Sequence, residues 1–168
     1  MDGSAYFEQG LNKVLVTVHG PDEPSQGARG LRQDGLGSIR CRIVNAPFSG
    51  LEHKRRRMGD RRTAELEQIV EDAMASVVLL ELYPLSEIVI VVHLLESDGS
   101  VLPSMINASS LACMEAGVMM KDIVTACSVG VVNGQVCRDL SQLEEAACQA
   151  HFPVAVKSRS GVATCPTL

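Results

Sequence analysis

The sequence predicts an α/β fold, in the α+β sense, and three observations predict it. Two β-rich apolar runs, at residues 14–18 and 87–95, bracket a stretch in which Leu66, Ile69, Val70, Ala73, Met74, Val77 and Val78 recur at i, i+3, i+4, i+7 spacing. Further on, Asn133-Gly134 sits between two more β-rich runs, the strongest short-range hairpin signal. The 168 residues are read as one domain, 1–168. A chain of that length can bury roughly two thirds of its unfolded surface without a covalent staple. With 46% hydrophobic and 21% charged residues it is a globular chain rather than a disordered tail. No apolar run approaches the roughly 20 residues of a membrane helix, so no membrane partner is expected. No basic-then-apolar leader opens it, so nothing points to secretion. The formal net charge of −5 excludes a uniformly basic nucleic-acid binder.

Each element has its own justification. Val14 to Val18 alternate as a strand that should stop at the Gly20-Pro21 turn signal. Residues 22–37, rich in Gly, Pro and polar groups, read as a loop, and residues 38–48 begin with the polar–apolar alternation of a half-buried strand. The periodic helix should be capped by Asp60 and ended by Tyr83-Pro84. Residues 87–95 are almost wholly apolar, as in a strand covered on both faces, and Ser97-Asp98-Gly99-Ser100 is a turn. A second helix runs from about Pro103 to Ala116, with small residues that allow close packing and Gly117 as its C-terminal stop. Strands follow at Asp122 to Val132, Gln135 to Leu140 and Phe152 to Val156, and Gly161 to Leu168 resembles the start of a partner strand. The six cysteines (41, 113, 127, 137, 148 and 165) form no CxxC pair and no zinc-ribbon spacing. They read as reduced thiols, with Cys113 and Cys127 acting as small core hydrophobes and no metal site implied.

The charge distribution carries the functional signal. Residues 54–62, Lys-Arg-Arg-Arg-Met-Gly-Asp-Arg-Arg, hold six of the 15 basic residues and one acid. That segment is +5, so the remainder of the chain carries −10. A solvated loop or a nuclear-import signal would account for such a run. A phosphate contact site accounts for two further features. Arg61 and Arg62 fall in the first turn of the predicted helix, where the macrodipole disfavours cations unless a polyanion is bound. Arginine also outnumbers lysine five to one there, and the guanidinium fork suits phosphate oxygens. Phe48 is essentially the sole aromatic nearby, which argues for reading of the backbone rather than stacking of bases.

Several motifs in order resemble the RNase PH family. They are Asp2-Gly3-Ser4-Ala5-Tyr6-Phe7-Glu8-Gln9-Gly10 with Gly20-Pro21, then Lys54-Arg55-Arg56-Arg57 with Gly59-Asp60-Arg61-Arg62. Asn107-Ala108-Ser109-Ser110-Leu111 with Ala116-Gly117-Val118, and Asp139-Leu140-Ser141 with Glu144-Glu145-Ala146-Ala147, follow. The similarity is greatest to the ring subunits of the eukaryotic exosome and extends from Asp2 to about Ala163. It implies a ribosomal-protein-S5-domain-two-like fold, a mixed sheet packed with helices. It also implies a six-membered ring that passes single-stranded RNA to nucleases, with other RNase PH-like subunits and cap proteins as partners. The implied role is 3′-to-5′ RNA processing and degradation, ribosomal RNA maturation included, in nucleus, nucleolus and cytoplasm.

The resemblance also implies where catalysis should reside. Phosphorolytic members need a phosphate-binding arginine, which falls at Leu102 here, and two aspartates, which fall at Glu145 and His151. Leucine cannot hold phosphate, and a neutral imidazole is not a carboxylate. Arg61 and Arg62 do match the family's RNA- and phosphate-contacting arginines, with Lys54, Arg55, Arg56 and Arg57 adjoining them. The expectation is therefore a non-catalytic RNA-binding ring subunit with no cofactor. The alternatives are an active phosphate-dependent 3′-to-5′ exoribonuclease and a fragment without an assembly role. Family members begin earlier and end later, with a further strand and C-terminal helices. The chain is expected to be a shortened form, with an uncovered sheet face and an unpaired edge that favour association.

Overall fold

A computed structural model describes residues 2–23, 36–50, 60–159, 161 and 163–164. Its elements are β1 (Gly3–Gln9), β2 (Asn12–Asp22), β3 (Ser38–Asn45), α1 (Arg61–Ala75), β4 (Glu87–Glu96), α2 (Val101–Glu115), β5 (Val124–Val132), β6 (Gln135–Arg138), α3 (Gln142–Ala147), β7 (Ala150–Lys157) and β8 (Ala163–Thr164). They build two four-stranded sheets, ordered β1-β2-β4-β3 and β6-β5-β7-β8. The first is mixed, because β3 runs parallel to β4 while its other pairs are antiparallel. The second is antiparallel throughout.

The core follows from the strand period. Val14, Val16 and Val18 of β2 and Ile88, Ile90, Val92 and Leu94 of β4 present one face of the first sheet to Val70, Ala73 and Met74 of α1 and to α2. α2 packs against β1 and β2 on one side and β5 and β7 on the other, so it is buried nearly all round. Its small residues make that possible: Ala108, Ser109 and Ala112 are fully buried where bulkier side chains would hold the sheets apart. The Ser109 hydroxyl is satisfied within the helix by the Met105 carbonyl, 2.8 Å away. Asn107 acts as if it were a strand residue. Its Nδ2 donates to the Ala126 carbonyl (2.9 Å) and its Oδ1 accepts from the Ala126 N–H (2.7 Å), joining α2 to β5.

Five expectations need correction. β2 does not stop at Gly20-Pro21 but continues to Asp22, which pairs with Glu87 across a register shift that accommodates the proline. α1 ends at Ala75 rather than at Tyr83-Pro84. Val77 and Val78 remain buried because the chain beyond the helix turns extended, with Val78 bridging Met120 and the Val77 carbonyl accepting from the Lys121 N–H at 2.7 Å. Asp60 occupies the N-cap position of α1 without a side-chain capping bond. β4 is covered on one face only. Val91 and His93 are half-buried by their cross-strand neighbours Thr17, Arg42, Leu15 and Val44, with no second layer above them among the described residues. Cys127 likewise lies half-buried on the outward face of β5, one position from buried Ala126, whereas Cys113 is fully buried. Burial pushes the thiols of Cys41 and Cys113 up to about 12, so both are inert as nucleophiles. The outward face of the second sheet carries Val129, Val131, Phe152, Val154 and Val156 with no covering element among the described residues.

The open edge of the first sheet is managed by α1. Glu67 Oε1 accepts from the Ile43 N–H (2.9 Å) and Glu71 Oε1 from the Cys41 N–H (2.7 Å). Two carboxylates one helical turn apart thus engage alternate N–H groups of β3. Burial raises the Glu71 carboxyl above its usual value, partly offset by the Cys41 N–H. A raised folded-state value favours the protonated fold, so the ionised form is a liability that grows as pH rises through that value. Glu71→Gln keeps an acceptor and removes the charge. Its melting temperature should equal or exceed that of the unaltered chain at pH 7–8, and the difference should vanish toward pH 4, as read by circular dichroism melts. Asn107→Leu strands an N–H and a carbonyl on β5 and should cost about 2–4 kcal/mol in urea denaturation.

Candidate functional site

The first sheet gathers the candidate residues at one end. β3 and β4 run parallel and finish side by side, with Asn45 opposite Leu94. The turn after β3 is fastened to the end of β4: the Ala46 N–H donates to the Leu94 carbonyl (3.0 Å), and the Ser49 carbonyl accepts from both the N–H and the hydroxyl of Ser97 (2.8 and 2.9 Å). α1 runs antiparallel to β3, since Glu67 meets Ile43 while Glu71 meets Cys41. Arg61, six residues before Glu67, therefore lies about 9 Å further along the axis, beyond the end of β3. Arg61 and Arg62 occupy the first turn of α1, as expected from the sequence. The Arg61 side chain is 93% exposed and its Nε donates to Glu65 at 2.9 Å. An exposed pair of this kind contributes about 0.3–0.5 kcal/mol, little enough to be exchanged for another anion. Lys54, Arg55, Arg56 and Arg57 lie outside the described residues.

The turn after β4 is built with care. Buried Asn12 donates from Nδ2 to the Gly99 carbonyl (2.7 Å) and accepts at Oδ1 from the Asp98 N–H (2.8 Å). Gly99 has φ +75°, and a Cβ there would stand 2.6 Å from the Leu140 carbonyl oxygen, so only glycine lets the turn approach the start of α3 this closely. Asp98 Oδ1 accepts from the Gln142 N–H at 3.3 Å. Ser100, at φ +48°, precedes α2, and its hydroxyl lies 2.5 Å from the Ser128 hydroxyl and donates to the Leu140 carbonyl (2.9 Å). These organising residues were missed from sequence. Only Asn12's polarity inside a strand and the Ser-Asp-Gly-Ser turn signal hinted at them.

Leu102, Glu145 and His151 converge on this turn. Leu102, the second residue of α2, is 6% exposed and contributes to the core. Glu145 Oε2 accepts from the Ser100 N–H at 3.3 Å, and its Oε1 lies 3.8 Å from His151 Nδ1. His151 Nε2 is buried without a hydrogen-bond partner. A bound phosphate would meet an apolar side chain where a cation is needed, with a carboxylate already beside the Ser100 N–H. Glu145 and His151 bring two possible donors together, and among the described residues no three His, Cys, Asp or Glu side chains converge on one point.

Comparison with known proteins assigns the fold to a family. Residues 1–119 match domain 1 of the 3′ exoribonuclease family, RNase PH, and residues 122–164 match its domain 2. The two matches meet between α2 and β5, where one sheet's elements give way to the other's. The chain is 40% identical over 160 residues to exosome complex component RRP41 of Mus musculus, covering 95% of this chain and 65% of that protein. It is 36% identical over 155 residues to exosome complex component Rrp41 of Thermococcus kodakarensis, covering 92% and 61%. The chain thus spans about two thirds or less of the length of these relatives. The crystal structure of rice (Oryza sativa) Rrp46 shares the fold, with a TM-score of 0.78 at 23% identity over 98% of this chain and 73% of that one. With both domain matches running in order through its two sheets, the chain belongs to the RNase PH family.

Proposed function

We propose that this chain is a non-catalytic, RNA-binding ring subunit of the exosome type, supporting 3′-to-5′ RNA processing and degradation, ribosomal RNA maturation included. Its proposed partners are single-stranded RNA, other RNase PH-like ring subunits and cap proteins, in nucleus, nucleolus and cytoplasm. One observation carries the reading. At the position of the phosphate arginine stands a core leucine, Leu102, beside a Glu145 carboxylate already bonded to the Ser100 N–H. The exosome names of the relatives support assembly in a ring. Exposed Arg61, with Arg62 next to it and the basic run 54–57 preceding them in sequence, supports contact with a phosphate backbone.

The chemistry of the site follows from what these groups can do. Arginines at the head of α1 attract phosphates by charge and by the guanidinium fork, and carry no base preference of their own. Cleavage by inorganic phosphate needs that anion held close to the scissile bond and the leaving oxygen stabilised. Neither Leu102 nor a Glu145–His151 pair performs that task. Incubated with its ring partners, single-stranded RNA, inorganic phosphate and magnesium, the chain should release no nucleoside diphosphates at enzymatic rates. Release at such rates establishes the phosphorolytic alternative instead. Arg61→Ala with Arg62→Ala should weaken RNA binding by the assembly and lower the slope of log K against log salt by about 1.4, at roughly 0.7 per phosphate contact. An unchanged slope means the two arginines are merely solvated.

A further inference from the structure

We propose that the groove between the turn after β3 and the turn after β4 receives an unpaired nucleobase, with Phe48 as the surface on which it stacks. The inference rests on the RNA-binding reading and gives that reading a second kind of contact. The sequence left Phe48 isolated, too little for base stacking. The fold supplies the walls. The groove, about 380 Å³, is lined by Phe48, Leu11, Leu95, Lys13, Asp98 and Gln142, among others. That volume falls within the roughly 300–1,000 Å³ of small-ligand sites.

Three features select a base as the occupant. First, Phe48 and Leu11 are each 59% exposed, two large apolar side chains on the wall of one groove at the end of the molecule that carries Arg61 and Arg62. Phe48 is not carried on a loose loop. Neighbouring Ser49 is buried, with its carbonyl taking two donors from Ser97. A ring presented by so constrained a turn loses little entropy when a second ring is laid on it.

Second, the charge is wrong for a phosphate. Lys13 Nζ is paired with Glu96 at 2.7 Å, and Asp98 adds a further carboxylate, so the described lining of the groove is anionic and does not include Arg61 or Arg62. Third, the polar groups suit the edge of a heterocycle. Glu96 and Asp98 accept from exocyclic amino groups, and the Gln142 amide both donates and accepts. Sugar-phosphate over the arginines and base in the groove is the arrangement that places every charge against its complement.

The test uses the full chain and two oligoribonucleotides that differ only in whether they carry bases or abasic sites. The unaltered chain should bind the base-bearing strand at least fivefold more tightly, on the scale of about 1–3 kcal/mol per stacked base. A 2-aminopurine in that strand should be quenched on binding. Phe48→Ala should remove both the preference and the quenching, and Phe48→Trp should restore them, with circular dichroism melts confirming the fold of each variant. Equal binding of both strands by the unaltered chain, with Arg61→Ala/Arg62→Ala still weakening both, overturns the base site and leaves the RNA reading intact. Failure to bind either strand overturns the RNA reading and this inference together.

Discussion

The structure depends on α2 being thin enough to lie between two sheets. Burying a polar side chain on such a helix is costly unless it is hydrogen-bonded, and Asn107 is satisfied by taking both backbone groups of Ala126 as a neighbouring strand would. That bond pair joins the second sheet to the helix that also floors the first. Ala108, Ser109 and Ala112 set the separation, since their small side chains let β2 and β5 approach the same helix from opposite sides. The turn that begins α2 inherits its position from this packing. Residues bonded to the turn, Asn12, Ser128, Leu140 and Glu145 among them, are thereby held at one place.

The same packing fixes what the start of α2 presents to its surroundings. Leu102, in the first turn of α2, is part of the core. Hydrophobic burial then stabilises the helix start by about 1.5–3 kcal/mol, the gain for a fully buried leucine. Glu145 adds a carboxylate beside an N–H at the positive end of that helix. Among the described residues, Arg61 at the head of α1 and Phe48 in the turn after β3 are exposed, and the proposed RNA contacts fall on them.

Much of this was legible in the sequence because local patterning and local structure agree. The i, i+3, i+4 spacing marked α1, the small residues marked α2, and Asn133-Gly134 marked a hairpin in which both residues take positive φ. The errors share one cause. A pattern of burial is not a pattern of hydrogen bonding. Val77 and Val78 continue the helical spacing yet leave the helix, because an extended segment paired with Met120 buries them equally well. The apolar run of β4 implied cover on both faces, whereas among the described residues its neighbours in the sheet, not a second layer, flank the half-buried outer one.

For the site, the sequence by itself determined the chemical identities: a concentration of guanidinium groups ending at Arg61 and Arg62, and Leu102, Glu145 and His151 at the positions where the family resemblance implies an arginine and two carboxylates in phosphorolytic members. Those are properties of side chains and survive any folding. Only the tertiary structure decided which of them meet. Glu145 of α3 reaches the Ser100 N–H and His151 of β7 lies beside that carboxylate, and Phe48 and Leu11 come to line one groove although they are 37 positions apart in the chain. Such meetings are fixed by strand register and by the thickness of α2, and neither quantity is written in any local stretch of the chain.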